Sequence, residues 1–224
     1  MRAAIIVASG ASRRMGFDKL AALWKGKPIL WHSVRAFSDR PDITQVVVVT
    51  PPERFAWLKD LGESGKLTRV DGGKERPDSV AAGLAALQPE VETVAIHDGA
   101  RPCITPDSID LVFARAERTS AAALARRVTE TMKRATSEGV TLDSVSRDDL
   151  WIMETPQVFQ RTLIEQAYAR VLQGDARITD EVSALQLLGS GTHLVENPSP
   201  NPKVTVQADL DQLSACFRTA GISG

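Results

Sequence analysis

The sequence predicts an α/β fold with a mostly parallel, twisted sheet, helices on both faces and a projecting β-arm. Three observations predict it. Apolar runs of strand length alternate with longer helix-like runs through most of the 224 residues. The apolar runs are nearly continuous, as expected for parallel strands that are covered on both faces. Residues 128–149 are polar, mix β-branched with charged residues and lack a helical apolar face, which predicts the arm.

The elements follow in chain order. Strands are predicted at 3–8, 45–50, 67–71, 93–97 and 121–126, with helices between them at 28–37, 52–61, 79–87 and 106–118. Proline at or near three of these helix starts suits a first helical turn. After the arm, the pattern predicts helices at 161–173 and 179–188, short strands at 193–196 and 203–206, and a closing helix at 209–219.

Composition limits what the chain can be. A length of 224 residues suits one compact domain over 1–224, and 43% hydrophobic content is ordinary for a globular protein. The net charge of -1 argues against a general nucleic-acid or membrane-surface binder. No apolar stretch approaches the ~20 residues needed to span a bilayer, and no secretory signal can be fitted, so the cytoplasm is expected. Cys103, Cys216 and the three histidines show no metal-ligand or redox spacing.

The end of the first strand carries the first candidate site. Residues 9–16 read SGASRRMG, and Lys19 follows closely. A loop of small residues after a buried strand brings backbone N–H groups within reach of an anion, and Arg13, Arg14 and Lys19 add positive charge. The pattern favours a triphosphate cradle over an ordinary strand-to-helix turn. It matches neither a Walker A loop nor a dinucleotide fingerprint.

Two further strand ends carry candidate residues. Gly72-Gly73 precedes a helix that begins near Ser79, so the Gly73 amide and the Ser79 hydroxyl could read a base edge; a plain glycine turn is equally compatible. Asp98 follows a buried strand and precedes Gly99, so its carboxylate could bind ribose hydroxyls or a divalent cation on phosphates. The alternative is an Asx turn. His97 is predicted to be packed or hydrogen-bonded rather than a base.

Together these residues resemble the 2-C-methyl-D-erythritol 4-phosphate cytidylyltransferase family of the non-mevalonate isoprenoid pathway. The resemblance covers nearly the whole chain in the expected order, through residues 9–19, 26–30 (GKPIL), 72–87, 97–102 (HDGARP), 131–134 (TMKR), 155–157 (TPQ), 179–181 (TDE) and 203–205 (KVT). It implies a Rossmann-like nucleotidyltransferase fold, a divalent cation such as Mg²⁺ held mainly by CTP phosphates, and a homodimer whose arms, residues 128–149, cross to the partner's active site.

The resemblance also implies a role for each site residue. Cytosine and ribose are surrounded by Ala8, Ser9, Gly10, Gly73, Ser79, Asp98 and Gly99. The catalytic cations are Arg14, Lys19 and Lys203. The acceptor phosphate is held across the dimer by Thr131 and Arg147, with support from Arg101, Thr155 and Asp180. The chain departs from the family pattern at Ser12 (usually glycine), Asp18 (usually proline) and Lys74 (often acidic).

The expected reaction is an in-line attack of the acceptor phosphate on the α-phosphorus of CTP, with release of pyrophosphate. Three alternatives are kept. A ribitol 5-phosphate cytidylyltransferase would share the fold and the nucleotide site. A nucleotide-binding regulatory protein without catalysis would fit the altered first loop. A dinucleotide reductase is the most distant, because the glycine fingerprint is missing.

Overall fold

The computed structural model describes residues 1–10, 18–174 and 178–213. In chain order the strands are β1 Arg2–Val7, β2 Leu23–Trp24, β3 Lys27–Pro28, β4 Ile43–Val49, β5 Leu67–Val70, β6 Thr93–Asp98, β7 Ala121–Arg127, β8 Met132–Ala135, β9 Thr141–Val145, β10 Trp151–Gln160 and β11 His193–Glu196. The helices are α1 Ile29–Ser38, α2 Pro52–Phe55, α3 Arg76–Ala85, α4 Pro106–Thr119, α5 Arg161–Gln173, α6 Glu181–Gln186 and α7 Gln207–Leu213, and a 3₁₀ segment spans Ala56–Ser64.

Seven strands form one sheet in the order β11-β7-β10-β6-β1-β4-β5. The pairs β1–β4, β1–β6, β4–β5 and β7–β11 are parallel, whereas β10 runs antiparallel to both of its neighbours. Side chains of β1 alternate between two buried clusters, with Ala4 and Ile6 in one and Ala3 and Ile5 in the other. Helices α1 and α4 cover the first cluster and α3, α5 and α6 the second. The predicted α/β class, mostly parallel and covered on both faces, is confirmed.

Strand β10 was not among the predicted strands, although it lies inside the sheet. Its sequence contains Pro156, and proline cannot donate a ladder hydrogen bond, which argues against a central strand. The structure accommodates the proline at an irregularity: the pairing of β10 with β7 shifts register between Met153 and Gln157. A long-range pairing of this kind leaves no local sequence signal.

Three other predicted elements need correction. The strand at 203–206 is wrong: these residues form no ladder, and the carboxylate of Asp209 accepts hydrogen bonds from the Thr205 and Val206 amides instead. The helix at 52–61 is one α-helical turn that continues as the 3₁₀ segment. The closing helix begins at Gln207, and its predicted end lies outside the described residues.

The polar stretch at 128–149 contains a two-stranded antiparallel sheet of its own, formed by β8 and β9. Arg134 pairs with Asp143 in the register, and most of the stretch is exposed. The predicted β-arm is therefore a β-hairpin separate from the main sheet. Within the part of the chain that the structure describes, no helix has the length and apolar character that a membrane crossing requires.

Candidate active site

The predicted site residues Ala8 and Gly99 lie where β1 and β6 end side by side. These strands are parallel neighbours that place Val7 beside Asp98, so the residues that follow share one side of the sheet. The Gly99 N–H donates to the Val7 carbonyl at 2.9 Å. A Cβ atom on Gly99 would lie 3.1 Å from the Cβ of Ala8, so glycine suits this close approach.

Ser9, Gly73 and Ser79 meet through one hydroxyl group. The Ser79 Oγ lies 2.9 Å from the Ser9 Oγ and accepts a hydrogen bond from the Gly73 amide at 3.2 Å. A Cβ on Gly72 would lie 2.3 Å from the Cβ of Ser9, a distance that real Cβ atoms do not reach. Glycine at 72 thus lets the loop after β5 rest against the end of β1. The result is a surface of small residues and backbone amides.

Asp98 is buried and lies at the centre of a charge cluster. Its Oδ2 is 2.8 Å from Lys203 Nζ and 3.5 Å from Arg101 Nε, and its Oδ1 is 3.6 Å from Arg76 Nη2. Burial opposes ionisation of the carboxyl, but Lys203 and the two arginines outweigh it and hold the pKa of Asp98 well below its usual range. Asp98 is therefore a fixed negative charge among an excess of positive ones.

Arg76 was not among the predicted site residues. Its guanidinium makes a two-pronged contact with Glu181, at 2.5 and 3.0 Å, and Glu181 also accepts a hydrogen bond from Tyr168 Oη at 2.9 Å. Burial opposes the charge of Arg76, but Glu181 and then Asp98 raise its pKa. One sequence signal existed: a cation in the first turn of α3 is unfavourable for the helix dipole, which indicates a carboxylate partner elsewhere.

Glu181 stands in the first turn of α6, and its side chain is fully buried. Tyr168 on α5 lies beside it, and burial followed by the Glu181 charge raises the pKa of the Tyr168 hydroxyl. The carboxylate thus joins α3, α5 and α6 through side-chain hydrogen bonds. This network fixes the position from which Arg76 faces Asp98.

His97 and Thr155 hold the backbone at Asp98. The Asp98 N–H donates to Thr155 Oγ1 at 3.0 Å, which lies 3.0 Å from His97 Nδ1, and His97 Nε2 lies 3.1 Å from the Arg101 carbonyl. A carbonyl can only accept, so Nε2 carries the proton and Nδ1 accepts from the threonine hydroxyl. Burial lowers the pKa of His97 to about 4. The prediction that His97 is packed or hydrogen-bonded is confirmed.

Two of the predicted catalytic cations lie on chain segments that contact each other. Lys19 Nζ donates to the carbonyl of Val204 at 2.8 Å, and Val204 follows Lys203 directly. The Val204 amide in turn donates to the Ala100 carbonyl at 2.9 Å, which attaches this segment to the turn after β6. Lys19 and Lys203 thus belong to the same corner of the molecule. Arg14, the third predicted cation, lies outside the described residues.

Arg101 and Asp180 are held by neighbouring elements. Arg101 is buried, and its Nη1 donates to the Asn201 carbonyl at 2.7 Å. Asp180 caps α6 by accepting from the Ser183 amide at 3.0 Å, and its second oxygen accepts from the side-chain amide of Gln157 on β10 at 3.0 Å. Both side chains therefore have defined places around the charge cluster.

Thr131 and Arg147, by contrast, lie in the arm. Both are exposed, and Arg147 Nη1 donates to the backbone carbonyl of Thr129 within the same arm. The structure of one chain thus gathers the predicted nucleotide residues at the strand ends and leaves these two predicted acceptor residues on a separate hairpin.

The described residues do not by themselves form a divalent-cation site. Among residues 1–10, 18–174 and 178–213, no group of three or more His, Cys, Asp or Glu side chains could hold a metal ion. The carboxylate of Asp98 faces Lys203 and two arginines, which would repel a second cation.

Small-residue turns at parallel strand ends, with lysines and arginines gathered beside them, are suited to a polyphosphate and its base. Fold and site together define the class of protein: an α/β nucleotidyltransferase. The comparisons with known proteins give the particular family. The family model IspD, 2-C-methyl-D-erythritol 4-phosphate cytidylyltransferase, matches residues 2–219. The chain belongs to this family.

Individual relatives agree with the match. A 2-C-methyl-D-erythritol 4-phosphate cytidylyltransferase of Salmonella paratyphi B is 41% identical over 213 residues, covering 92% of this chain and 89% of that protein. The corresponding protein of Shewanella amazonensis is 40% identical over 223 residues, covering 97% and 93%. The crystal structure of the Francisella tularensis enzyme superposes with a TM-score of 0.82 at 28% identity, covering 96% of this chain and 98% of that one.

Proposed function

We propose that this chain transfers the cytidylyl group of CTP to 2-C-methyl-D-erythritol 4-phosphate. A phosphate oxygen of the acceptor forms a bond to the α-phosphorus, the bond from that phosphorus to the bridging oxygen of the β-phosphate breaks, and pyrophosphate leaves with the electron pair. The products are 4-diphosphocytidyl-2-C-methyl-D-erythritol and pyrophosphate. The nucleophile is already an anion near neutral pH, so no general base is needed. The observation that carries the proposal is that Lys19 contacts the backbone next to Lys203, whose own ammonium group contacts Asp98.

On the nucleotide side, the small-residue surface binds cytosine and ribose. The Ser79 hydroxyl, which the Gly73 amide holds in place, can face a base edge, and Asp98 can accept from ribose hydroxyls. Close packing of Ala8 with Gly99 leaves backbone groups near the ligand. The proposed nucleotide residues are Ala8, Ser9, Gly10, Gly73, Ser79, Asp98 and Gly99.

The catalytic work is charge stabilisation and alignment. Lys19 and Arg14 are proposed to stabilise the negative charge on the pentacoordinate α-phosphate, and Lys203 to align the two anions. An ammonium group has three donors, so Lys203 can keep its contact with Asp98 while donating to a phosphate. Asp98 thereby restricts the lysine to one position before substrate arrives.

On the acceptor side, we assign Thr131 and Arg147 to the phosphate of methylerythritol phosphate, across a homodimer. Residues 128–149 serve as the dimerisation arm of a single nucleotidyltransferase domain over 1–224. Exposed apolar side chains on the arm, Met132, Val140 and Leu142, support a covering partner. Arg101, Thr155 and Asp180 support the site from within the chain.

The proposed divalent cation is Mg²⁺, which when bound supplies charge neutralisation on the phosphates. CTP oxygens and water are its proposed ligands, in keeping with the three cations that face Asp98. The proposed location of the enzyme is the cytoplasm, where CTP is available, and neither a nucleic acid nor a membrane is a proposed partner.

Pyrophosphate release from CTP and Mg²⁺ tests the function when each acceptor is supplied separately. We expect release with methylerythritol phosphate and at most a trace with ribitol 5-phosphate. The reverse preference would identify a ribitol 5-phosphate cytidylyltransferase. CTP binding without release for either acceptor would identify a non-catalytic nucleotide-binding protein, and binding of NAD(P)H in place of CTP would identify a reductase.

A further inference from the structure

Arg54 is a buried arginine that the proposed reaction does not use. It lies in α2, the single helical turn that follows β4, and its side chain is only 10% exposed. Because β4 is the parallel neighbour of β1, the turn after β4 lies beside the turn after β1. A buried guanidinium is costly unless its N–H groups find partners. The hydrogen-bond acceptors of the Arg54 guanidinium indicate the role of this side chain.

Within the described residues, the Arg54 guanidinium donates to both chain segments that flank residues 11–17. Nη1 donates to the Ala8 carbonyl, and Nη2 donates to the Gly10 carbonyl at 3.0 Å. Nε donates to Asp18 Oδ2 at 2.6 Å. The planar fork of one side chain therefore joins the residues just before this segment to the residue just after it.

Asp18 is itself fixed on both oxygens. Its Oδ1 accepts from the Leu20 amide at 3.1 Å while Oδ2 accepts from Arg54. Lys19 lies between Asp18 and Leu20, which the first of these hydrogen bonds joins. The Nζ of Lys19 donates to the Val204 carbonyl. Arg54 thus acts on the proposed catalytic lysine through Asp18.

The contact with Ala8 also orients an amide. In a trans peptide the N–H points opposite to the C=O of the same unit. Since the Ala8 carbonyl is turned toward Arg54, the Ser9 N–H is turned away from the guanidinium. An anion on that side would find a donor already oriented.

We propose that Arg54 is a positioning residue for the nucleotide site: it fixes Ala8, Gly10 and Asp18 so that the Ser9 N–H and Lys19 are in place for the phosphates of CTP. The inference rests on the proposed function. It predicts that replacing the Arg54 guanidinium weakens the binding of CTP far more than the binding of the acceptor.

The test replaces Arg54 by lysine, which keeps the charge but cannot bind three acceptors in one plane. Calorimetric titration with CTP and Mg²⁺ is expected to show at least about tenfold weaker binding, the loss of one or two hydrogen bonds to a charged donor. In the transfer assay the KM for CTP should rise similarly, while the KM for methylerythritol phosphate stays within about twofold. KM does not depend on the fraction of enzyme that folds, so lower stability alone would not produce this split.

Arg69→Lys is the matched control. Arg69 also donates to a backbone carbonyl, that of Thr50 at 3.1 Å, and to a carboxylate, that of Asp71 at 2.6 Å, but it contacts neither flank of residues 11–17. The CTP affinity of the Arg69→Lys variant should equal that of the wild type. Asp18→Asn is a second variant that keeps Arg54. An asparagine has one acceptor oxygen in place of two, so either the Leu20 amide or Arg54 Nε loses its acceptor. This variant should weaken CTP binding by less than Arg54→Lys.

Unchanged CTP affinity in both Arg54→Lys and Asp18→Asn overturns the proposal, and so does an equal rise of both KM values. If the wild type binds CTP but transfers nothing, the proposed function fails while the affinities still decide the role of Arg54. A wild type that does not bind CTP overturns both.

Discussion

The strand-end charge cluster and the arm contain similar kinds of residues in opposite surroundings. In the cluster, Asp98 and Glu181 are buried and hydrogen-bonded to cations on other elements. In the arm, Arg134 and Asp143 lie 3.5 Å apart with side chains 68% and 60% exposed. The cluster places its charges before any ligand arrives, whereas the arm places its charges only relative to its own two strands. One chain therefore gathers the proposed nucleotide residues at the strand ends, while the proposed acceptor residues Thr131 and Arg147 stand on a separate hairpin.

The largest expected effect is on the cluster. Asp98→Asn removes the negative charge from a site where Lys203, Arg76 and Arg101 remain, and breaking a buried ion pair on one side costs about 3–5 kcal/mol. Urea unfolding monitored by circular dichroism measures the loss. Asp143→Asn is the matched change in the arm and should cost no more than about 1 kcal/mol, as for exposed pairs. Equal costs would contradict the difference between the two regions.

Lys19→Ala tests the proposed catalytic lysine, which contacts the backbone next to Lys203 of the cluster. Removing one preorganised donor to a developing oxyanion commonly costs ~3 kcal/mol, so turnover should fall about a hundredfold or more. Steady-state pyrophosphate release gives the rate, and light scattering and circular dichroism verify that assembly and fold are kept. Near-normal turnover in a folded Lys19→Ala variant would remove this lysine from the mechanism.

The two regions also differ in how far the sequence could predict them. The strand ends were predictable because apolar runs mark buried strands and small residues follow them, which placed Ala8, Asp98 and Gly99 correctly beside one another. Strand β10 could not be predicted, because its Pro156 argues against a central strand and because the strands that pair with it are distant in sequence. The partners of Arg76 and Arg54 depend on tertiary contacts 105 and 36 residues away, to Glu181 and Asp18, for which spacing carries no information.

The neutral His97, next to Asp98 in the chain, makes the free energy of unfolding depend on pH. The arm contains no histidine. The pKa of His97 is about 4 when folded against about 6.5 when unfolded, so the unfolded chain binds more protons between these values. The stabilisation is complete above pH 6.5 and is lost as pH falls toward 4. Between pH 7.5 and pH 5 the loss of the His97 contribution lowers the free energy of unfolding by about 2 kcal/mol.

Urea unfolding at both pH values measures this contribution. His97→Gln, which can still hydrogen-bond, should lose about 2 kcal/mol less than the wild type on acidification. His193→Gln changes an exposed histidine and serves as the control. A His97→Gln variant with the same pH dependence as the wild type would mean that His97 titrates in the folded protein as it does in the unfolded chain.

The arm is tested by mixing two variants that are each impaired at low acceptor concentration. Arg147→Ala alone should raise the KM for methylerythritol phosphate about tenfold and leave the KM for CTP nearly unchanged, because a charged hydrogen bond to the acceptor is lost. If arms cross in a twofold dimer, a heterodimer of Arg147→Ala with Lys19→Ala has one site with both residues intact. Random exchange of subunits should then restore about a quarter of wild-type activity at low acceptor concentration.

Restoration requires that Lys19 and Arg147 of one working site come from different chains. If both residues came from the same chain, no mixture could be more active than the average of its two parents. The experiment therefore separates an arm that completes the neighbouring site from one that folds back onto its own, and it does so without altering the exposed apolar residues proposed to hold the dimer together.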